Sequence, residues 1–390
     1  MTRAGHHADG GRPLAAPSVS PPRRSLGQSE SMTALIAERL EDLTPTWFTR
    51  VLREAGTIGP GTAVTSVDAQ QIGTGQLGSV TRVALTYDGP ANAPATLVVK
   101  QPSLDEGSRR VGVTMGVYRS ELRFYEQLAP LVSLRTPALH WGALEDDTGR
   151  FTMVLDDLAP TSTAGDMMEG ATAGQAALAI SELVGLQAPL WDHPLLYQLP
   201  WLDLGGMRKL FEEVPGAVEE FVNRFGERLD SRHIALVEAL GPRSPHAFEA
   251  VWKPPFVVAH CDYRLDNMLF GKVSSAPSLT VVDWQTTCPG PPGLDAAVFL
   301  ASSVDTETRR TIESGLLDAY ADGLKEAGIR DFGFADAWES YRAASLSPFL
   351  LTIFTSVTLE RTERGDEMWT RLIRGAADLV LDTEAARLLD

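Results

Sequence analysis

His260-Cys261-Asp262-Tyr263-Arg264-Leu265-Asp266-Asn267 follows directly on the apolar run Phe256-Val257-Val258-Ala259. This is H-x-D-x-x-x-x-N, a spacing that lets one loop set Asp262 against an acceptor hydroxyl and the amide oxygen of Asn267 against Mg²⁺. Asp266 is expected to face solvent or a backbone donor, with a ligand role as the alternative, and His260 to organise the loop rather than act as acid or base. A second apolar run, Leu279-Thr280-Val281-Val282, ends in Asp283-Trp284-Gln285. A hairpin over 268–282 returns Asp283 to Asn267. Two oxygen donors at one sheet end suit Mg²⁺, with phosphate oxygens completing its shell. Alone, a strand-end aspartate such as Asp283 would be read as a turn residue.

Upstream lies Gly73-Thr74-Gly75-Gln76-Leu77-Gly78. G-x-G-x-x-G by itself is ambiguous between dinucleotide-binding folds, kinases and an ordinary turn. A dinucleotide site needs a helix to start at the motif and an acidic residue about 20 positions later. Here Ser79 to Tyr87 reads as a strand, and Val98-Val99-Lys100 stands where the acid would be. Glycines between two strands, followed by a lysine at the end of the next, form a cover and a charge for ATP phosphates. Glu121, on the following helix, is a candidate partner for Lys100, although a helix glutamate more often faces solvent.

Outward from these motifs the chain divides in two. Helical spacing over Leu35, Ile36, Leu40 and Leu43, and a short helix from Trp47 to Ala55, precede strands at 64–72, 79–87 and 96–100. A helix over 113–129 and strands at 138–144 and 151–155 complete a strand-rich lobe. Beyond 156–160 the pattern is mainly helical, with runs at 172–188, 206–240, 307–327, 335–360 and 367–388. Asp295 is placed to cap a helix. The apolar run Ser347 to Phe354 fits either a pocket wall or core. The expected division is a disordered Pro-rich tail over 1–31, a nucleotide-binding lobe over 32–158, and a catalytic and substrate-binding lobe over 159–390. His6 and His7 fall in the tail.

Composition narrows the partners. With 34 Lys+Arg against 51 Asp+Glu, the 390 residues carry a formal charge of −17, unsuited to binding a phosphate backbone. No stretch reaches the ~18 uncharged apolar residues of a membrane span. The two cysteines, Cys261 and Cys288, form no C-x-x-C pair, which fits a reducing cytoplasm. No G-x-S-x-G elbow is present, and His140, His193, His233 and His246 show no triad or metal spacing. No obligate protein partner is evident.

Taken together, these motifs resemble the aminoglycoside phosphotransferase superfamily, and within it the ecdysteroid-kinase-like (CHK kinase-like) group. The echoes are Leu43-Thr44-Pro45-Thr46-Trp47, Tyr118 to Tyr125, Val154-Leu155-Asp156-Asp157-Leu158, the His260 to Asn267 loop and Asp283-Trp284-Gln285. The resemblance implies an α+β, bilobal protein-kinase-like fold with an antiparallel-sheet N-lobe and a mainly helical C-lobe. It implies ATP in the cleft, with adenine meeting the backbone near Asp156 and Leu158. Asp283-Trp284-Gln285 stands where protein kinases have D-F-G, and no A-P-E segment follows, which points to a small-molecule hydroxyl acceptor. The alternative is a nucleotide-binding pseudokinase without turnover. Where the family's loop usually has glycine, this chain has Cys261, a less permissive residue.

Overall fold

Alternation builds the first layer. In β2 (Gly78–Tyr87) Thr81, Val83 and Leu85 point inward, and in β3 (Thr96–Pro102) Leu97, Val99 and Gln101 do the same. With β1 (Val64–Gly75), β4 (Leu139–Glu145) and β5 (Arg150–Asp156) they form an antiparallel sheet of order β1-β2-β3-β5-β4. The computed structural model describes residues 35–390 apart from 76, 90–91, 274–277 and 360. The expected tail, His6, His7 and Gln76 of the glycine loop lie outside the described residues.

α1 (Pro45–Glu54) covers one face of this sheet. Thr44 caps it by accepting from Trp47 N at 3.2 Å, and Pro45 at the first position sacrifices no helical hydrogen bond. Phe48, Val51 and Leu52 are buried against Val83, Leu97, Val99 and Val154, each worth about 1.5–3 kcal/mol in burial. The helix expected over 35–43 is absent apart from a single 3₁₀ turn at Leu40–Asp42. Thr152 Oγ1 accepts from Ala37 N and donates to Ala37 O, both at 2.8 Å, and Gln101 Nε2 donates to Ala37 O at 2.9 Å. The sheet takes the backbone groups that a helix would use.

The helix expected over 113–129 starts earlier and is broken. α2 (Glu106–Met115) begins at Asp105, whose side chain accepts from Ser108 N at 2.7 Å. Gly116, at φ +70°, then redirects the chain into α3 (Val117–Arg123), followed by a π turn over Phe124–Leu128.

In the helical lobe, α4 (Ala173–Gln187) opens with a Thr172/Gln175 capping box. The run expected over 206–240 is two helices, α5 (Leu204–Phe225) and α6 (Ser231–Leu240), the second capped by Asp230. α7 (Ser244–Val251) leads to β7 (Val257–Ala259), which pairs with β10 (Cys288–Gly290). Between them, β8 (Met268–Gly271) and β9 (Leu279–Val281) form the expected hairpin, extended by β6 (Ser162–Ala164). Every residue of α8 (Leu294–Ser303) is buried, making it the axis of the lobe. α9 (Thr306–Glu326), α10 (Phe334–Ala344), α11 (Leu346–Thr358) and α12 (Glu363–Asp382) surround it.

The run over 335–360 divides between α10 and α11 because Pro348 occupies the first turn of a new helix, where its missing N–H costs nothing. Leu346, Phe349, Leu350 and Ile353 are fully buried. The run Ser347 to Phe354 is therefore core. α12 crosses α8 at Gly375, so close to the Ala301 carbonyl that no Cβ fits between them.

Candidate active site

Three elements bring the charged residues together. Lys100 projects from β3, Glu121 from α3, and Asp283 follows β9. Lys100 Nζ lies 2.5 Å from Glu121 Oε1 and 3.1 Å from Asp283 Oδ1. Glu121 is buried rather than solvent-facing. Burial alone would lower the Lys100 pKa, but the charges of Asp283 and Glu121 outweigh it and hold the amine protonated well above its ordinary range. Burial pushes the Asp283 carboxyl up, yet Lys100 draws it below the usual carboxylate range. Trp284 fixes this arrangement. Fully buried, it stacks on Phe124 with centroids 3.8 Å apart and planes 4° from parallel, tying the π turn after α3 to the segment carrying Asp283.

The loop after β7 joins the same cluster. Val282 N donates to Asn267 O at 3.0 Å, which sets Asn267 beside Asp283. Asn267 Nδ2 donates to Asp262 O at 2.8 Å and to Asp262 Oδ2 at 3.0 Å. Its Oδ1 accepts no hydrogen bond among the described residues. His260 is buried and organises the loop as expected: Nε2 donates to Val282 O at 3.0 Å, and Nδ1 accepts from Asp262 N at 3.2 Å. Those two partners place the ring proton on Nε2.

Two contributors escaped the sequence reading. Arg264 Nε lies 2.9 Å from Asp262 Oδ1, and its Nη1 lies 2.8 Å from Asp266 Oδ2, so one guanidinium holds both carboxylates. Asp266 Oδ1 also accepts from Met167 N at 3.0 Å, the backbone donor anticipated for it. Asp295 does not cap α8 as expected: the N-cap is Gly293, with no side-chain bond, and Asp295 lies within the first turn, where its carboxylate serves another loop. Fully buried, it accepts from His260 N and Cys261 N, each at 2.9 Å. Cys261 is thereby held at φ +64°. Arg264 was legible by residue type but not by role, since that depends on where its fork turns.

The glycine loop closes the sheet above. Gly73 pairs with Val80, Thr74 with Ser79 and Gly75 with Gly78. A Cβ on Gly78 would stand 2.8 Å from Gln101 O, so β2 approaches β3 there as only glycine allows. The connector is also placed. Asp156 bonds His140 Nε2 at 2.8 Å and accepts from Ala138 N at 3.1 Å, so its side chain is structural. Leu158 O accepts from Ser162 N and Thr161 N, while Leu158 N donates to no described residue.

With this geometry in place, sequence comparison gives a family. The profile of the phosphotransferase enzyme family (APH) matches residues 70–342, from the glycine loop through α10. The chain belongs to this family. No curated protein matches it. Among solved structures, the gentamicin complex of APH(2")-IIa is 15% identical, covers 80% of this chain and 91% of its own, and has a TM-score of 0.45. Plasmodium vivax ethanolamine kinase is 11% identical over 82% of each chain, with a TM-score of 0.44. A choline/ethanolamine kinase family protein from Mesorhizobium loti is 15% identical, covering 92% of this chain and 97% of that one, with a TM-score of 0.46.

Proposed function

We propose that the protein transfers the γ-phosphoryl group of ATP to a hydroxyl of a small organic molecule, with Mg²⁺ as cofactor. The observation that carries this reading is the Lys100–Glu121–Asp283 network set beside the Asp262–Asn267 loop. Lys100, held by Glu121, binds the phosphates, and the loop of Gly73, Gly75 and Gly78 covers them. The N–H of Leu158, which meets no acceptor among the described residues at the connector after Asp156, offers a donor to the nucleobase edge. The nucleotide lobe ends there, at 158.

The residues present fit the metal. Asn267 Oδ1 and Asp283 Oδ2 accept no hydrogen bond among the described residues, and both are the hard oxygen donors Mg²⁺ prefers. No three His, Cys, Asp or Glu side chains gather into a metal cage among the described residues, so phosphate and water oxygens would complete the shell. When bound, Mg²⁺ neutralises charge building on the phosphates. Asp262 orients the hydroxyl and takes up its proton. Arg264 and Asn267 hold one carboxylate oxygen each, which fixes the direction of that acceptance.

Within the family we assign the chain to the ecdysteroid-kinase-like group, on its Leu43 to Trp47 opening and the Tyr118 to Tyr125 helix. A cytoplasmic setting suits the free thiols of Cys261 and Cys288. Among the described residues no helix is long and apolar enough to cross a membrane.

The test is ADP release from MgATP across aminoglycosides, sterols, choline-like amines and hydroxy acids, run beside Asp262→Asn. Acceptor-dependent release should fall about 10²–10⁴-fold in kcat in the variant. Undiminished turnover would remove Asp262 from the mechanism. MgATP binding with no transfer to any acceptor would favour the pseudokinase instead.

A further inference from the structure

A cleft of about 630 Å³ opens between the end of α8, the loop over 166–170 and α12. Its lining is unusual in its arginines: Arg228, Arg371 and Arg374. Arg371 makes no ion pair or hydrogen bond among the described residues, and its Nε is fully buried without an acceptor. Glu367 stands four residues before it, a spacing that allows a helical ion pair, yet none forms. Gly170, at φ +84°, leaves the space that the Arg371 fork occupies, since a Cβ there would stand 3.0 Å from Nη2. Arg374 donates to the Arg228 carbonyl and meets no carboxylate among the described residues. Among the described residues Arg228 reaches only Asp366, at 3.7 Å, and Arg224 already holds that residue. Against these stand the exposed Glu367 and Asp305, which caps α9 through a 3.0 Å bond from Thr308 N.

A half-buried guanidinium with no partner is costly, because each desolvated donor forfeits its water. Its five donors match carboxylate or phosphate oxygens in a bidentate fork. Residues flanking the lining reach the loop that carries Asp262. Met368 and Met167, neighbours of the lining residues Glu367 and Met168, bring their Sδ atoms to 3.7 and 3.4 Å from Arg264 Nη1. Ser303, next to the lining Ser302, accepts from Leu265 N at 2.9 Å through its hydroxyl.

We propose that this cleft seats the acceptor and that the acceptor is anionic: a hydroxylated small molecule bearing a carboxylate or phosphate group. This rests on the phosphotransfer reading above and narrows its substrate class. Arg371 takes the anionic oxygens, with Arg374 as the second cation, while the hydroxyl meets Asp262. The hydroxyl oxygen bonds the γ-phosphorus as the bond to the bridging oxygen breaks. ADP leaves with that electron pair, and the hydroxyl proton passes to Asp262. The local field, rather than the net charge of −17, sets the sign of the ligand.

The test uses the full chain saturated with magnesium and a non-hydrolysable ATP analogue. Glycerate, gluconate, glycerol 3-phosphate and glucose 6-phosphate are titrated by calorimetry, with choline and gentamicin as cationic controls. The proposal expects at least one anion to bind, with the carboxylate and phosphate arms naming the group. Arg371→Ala should weaken that binding about 10-fold or more, Arg371→Lys should restore part of it, and the exposed Arg374→Ala gives a second variant should Arg371→Ala not fold. In turnover the loss should appear in KM for the acceptor rather than in KM for MgATP. Binding of none of the four anions, or equal binding by the arginine variants, overturns the proposal. Transfer to choline or gentamicin alone overturns it while leaving the phosphotransfer reading intact. Anion binding with no ADP release from any acceptor would instead remove the phosphotransfer reading, and the acceptor role with it.

Discussion

Cys261 occupies the left-handed region at φ +64°, where a residue with a Cβ pays roughly 1–2 kcal/mol. Two backbone bonds to the buried Asp295 hold it there, so strain is retained in the loop that aims Asp262. Cys261→Gly relieves the backbone but gives up side-chain burial of similar size, and its stability should stay within about 1 kcal/mol of the parent. Cys261→Val adds a β-branch to the same geometry and should fall well below both. Urea midpoints check this, and equal midpoints for Gly and Val would dismiss the strain. At this scale Asp262, Asn267 and Asp283 were legible because one short hairpin fixes their neighbourhood. Arg264 and the true role of Asp295, which the sequence placed as a helix cap, were not, since each depends on a side chain reaching a distant backbone or carboxylate.

Gly116 decides how α2 gives way to α3, and so where Glu121 points. Nothing lies within 4 Å of a Cβ built on it, yet its φ is +70°. The cost of Gly116→Ala is therefore one of backbone conformation, about 1–2 kcal/mol. We expect a lower urea midpoint with an unchanged slope, and a raised KM for MgATP if Glu121 shifts. An unchanged midpoint would contradict that. Periodicity found this region helical but not broken, because the apolar face continues across Gly116 into Val117, Leu122 and Phe124. The same blindness merged α5 with α6. Over 35–43 it failed differently: apolar spacing was present, but Thr152 and Gln101, remote in sequence, had already claimed the backbone.

Across the whole molecule several acids sit against more than one arginine. Burial would raise the Asp366 pKa, but Arg224, Arg361 and Arg228 hold it below the usual range, and Arg310 and Arg309 do the same for Asp382. Groups with depressed folded values bind protons more readily when unfolded, so their contribution is complete above about pH 4–5 and drains away as pH falls further. Buried Asp295 and Glu121 are shifted upward and act in the opposite sense, but the depressed carboxylates are more numerous. The melting temperature should be flat from pH 8 to 6 and fall steeply below pH 4; a plateau down to pH 3 would contradict this.

Gly375 gives α12 its seat on α8, and with it the reach of Arg371 and Arg374. The width of the cleft is thus gauged by a methyl group that is not there. Restoring that methyl would act as a wedge, tilting one wall outward while every charged and catalytic side chain kept its chemistry. Two chains alike in all those side chains, but differing at this position, would sort molecules by girth alone.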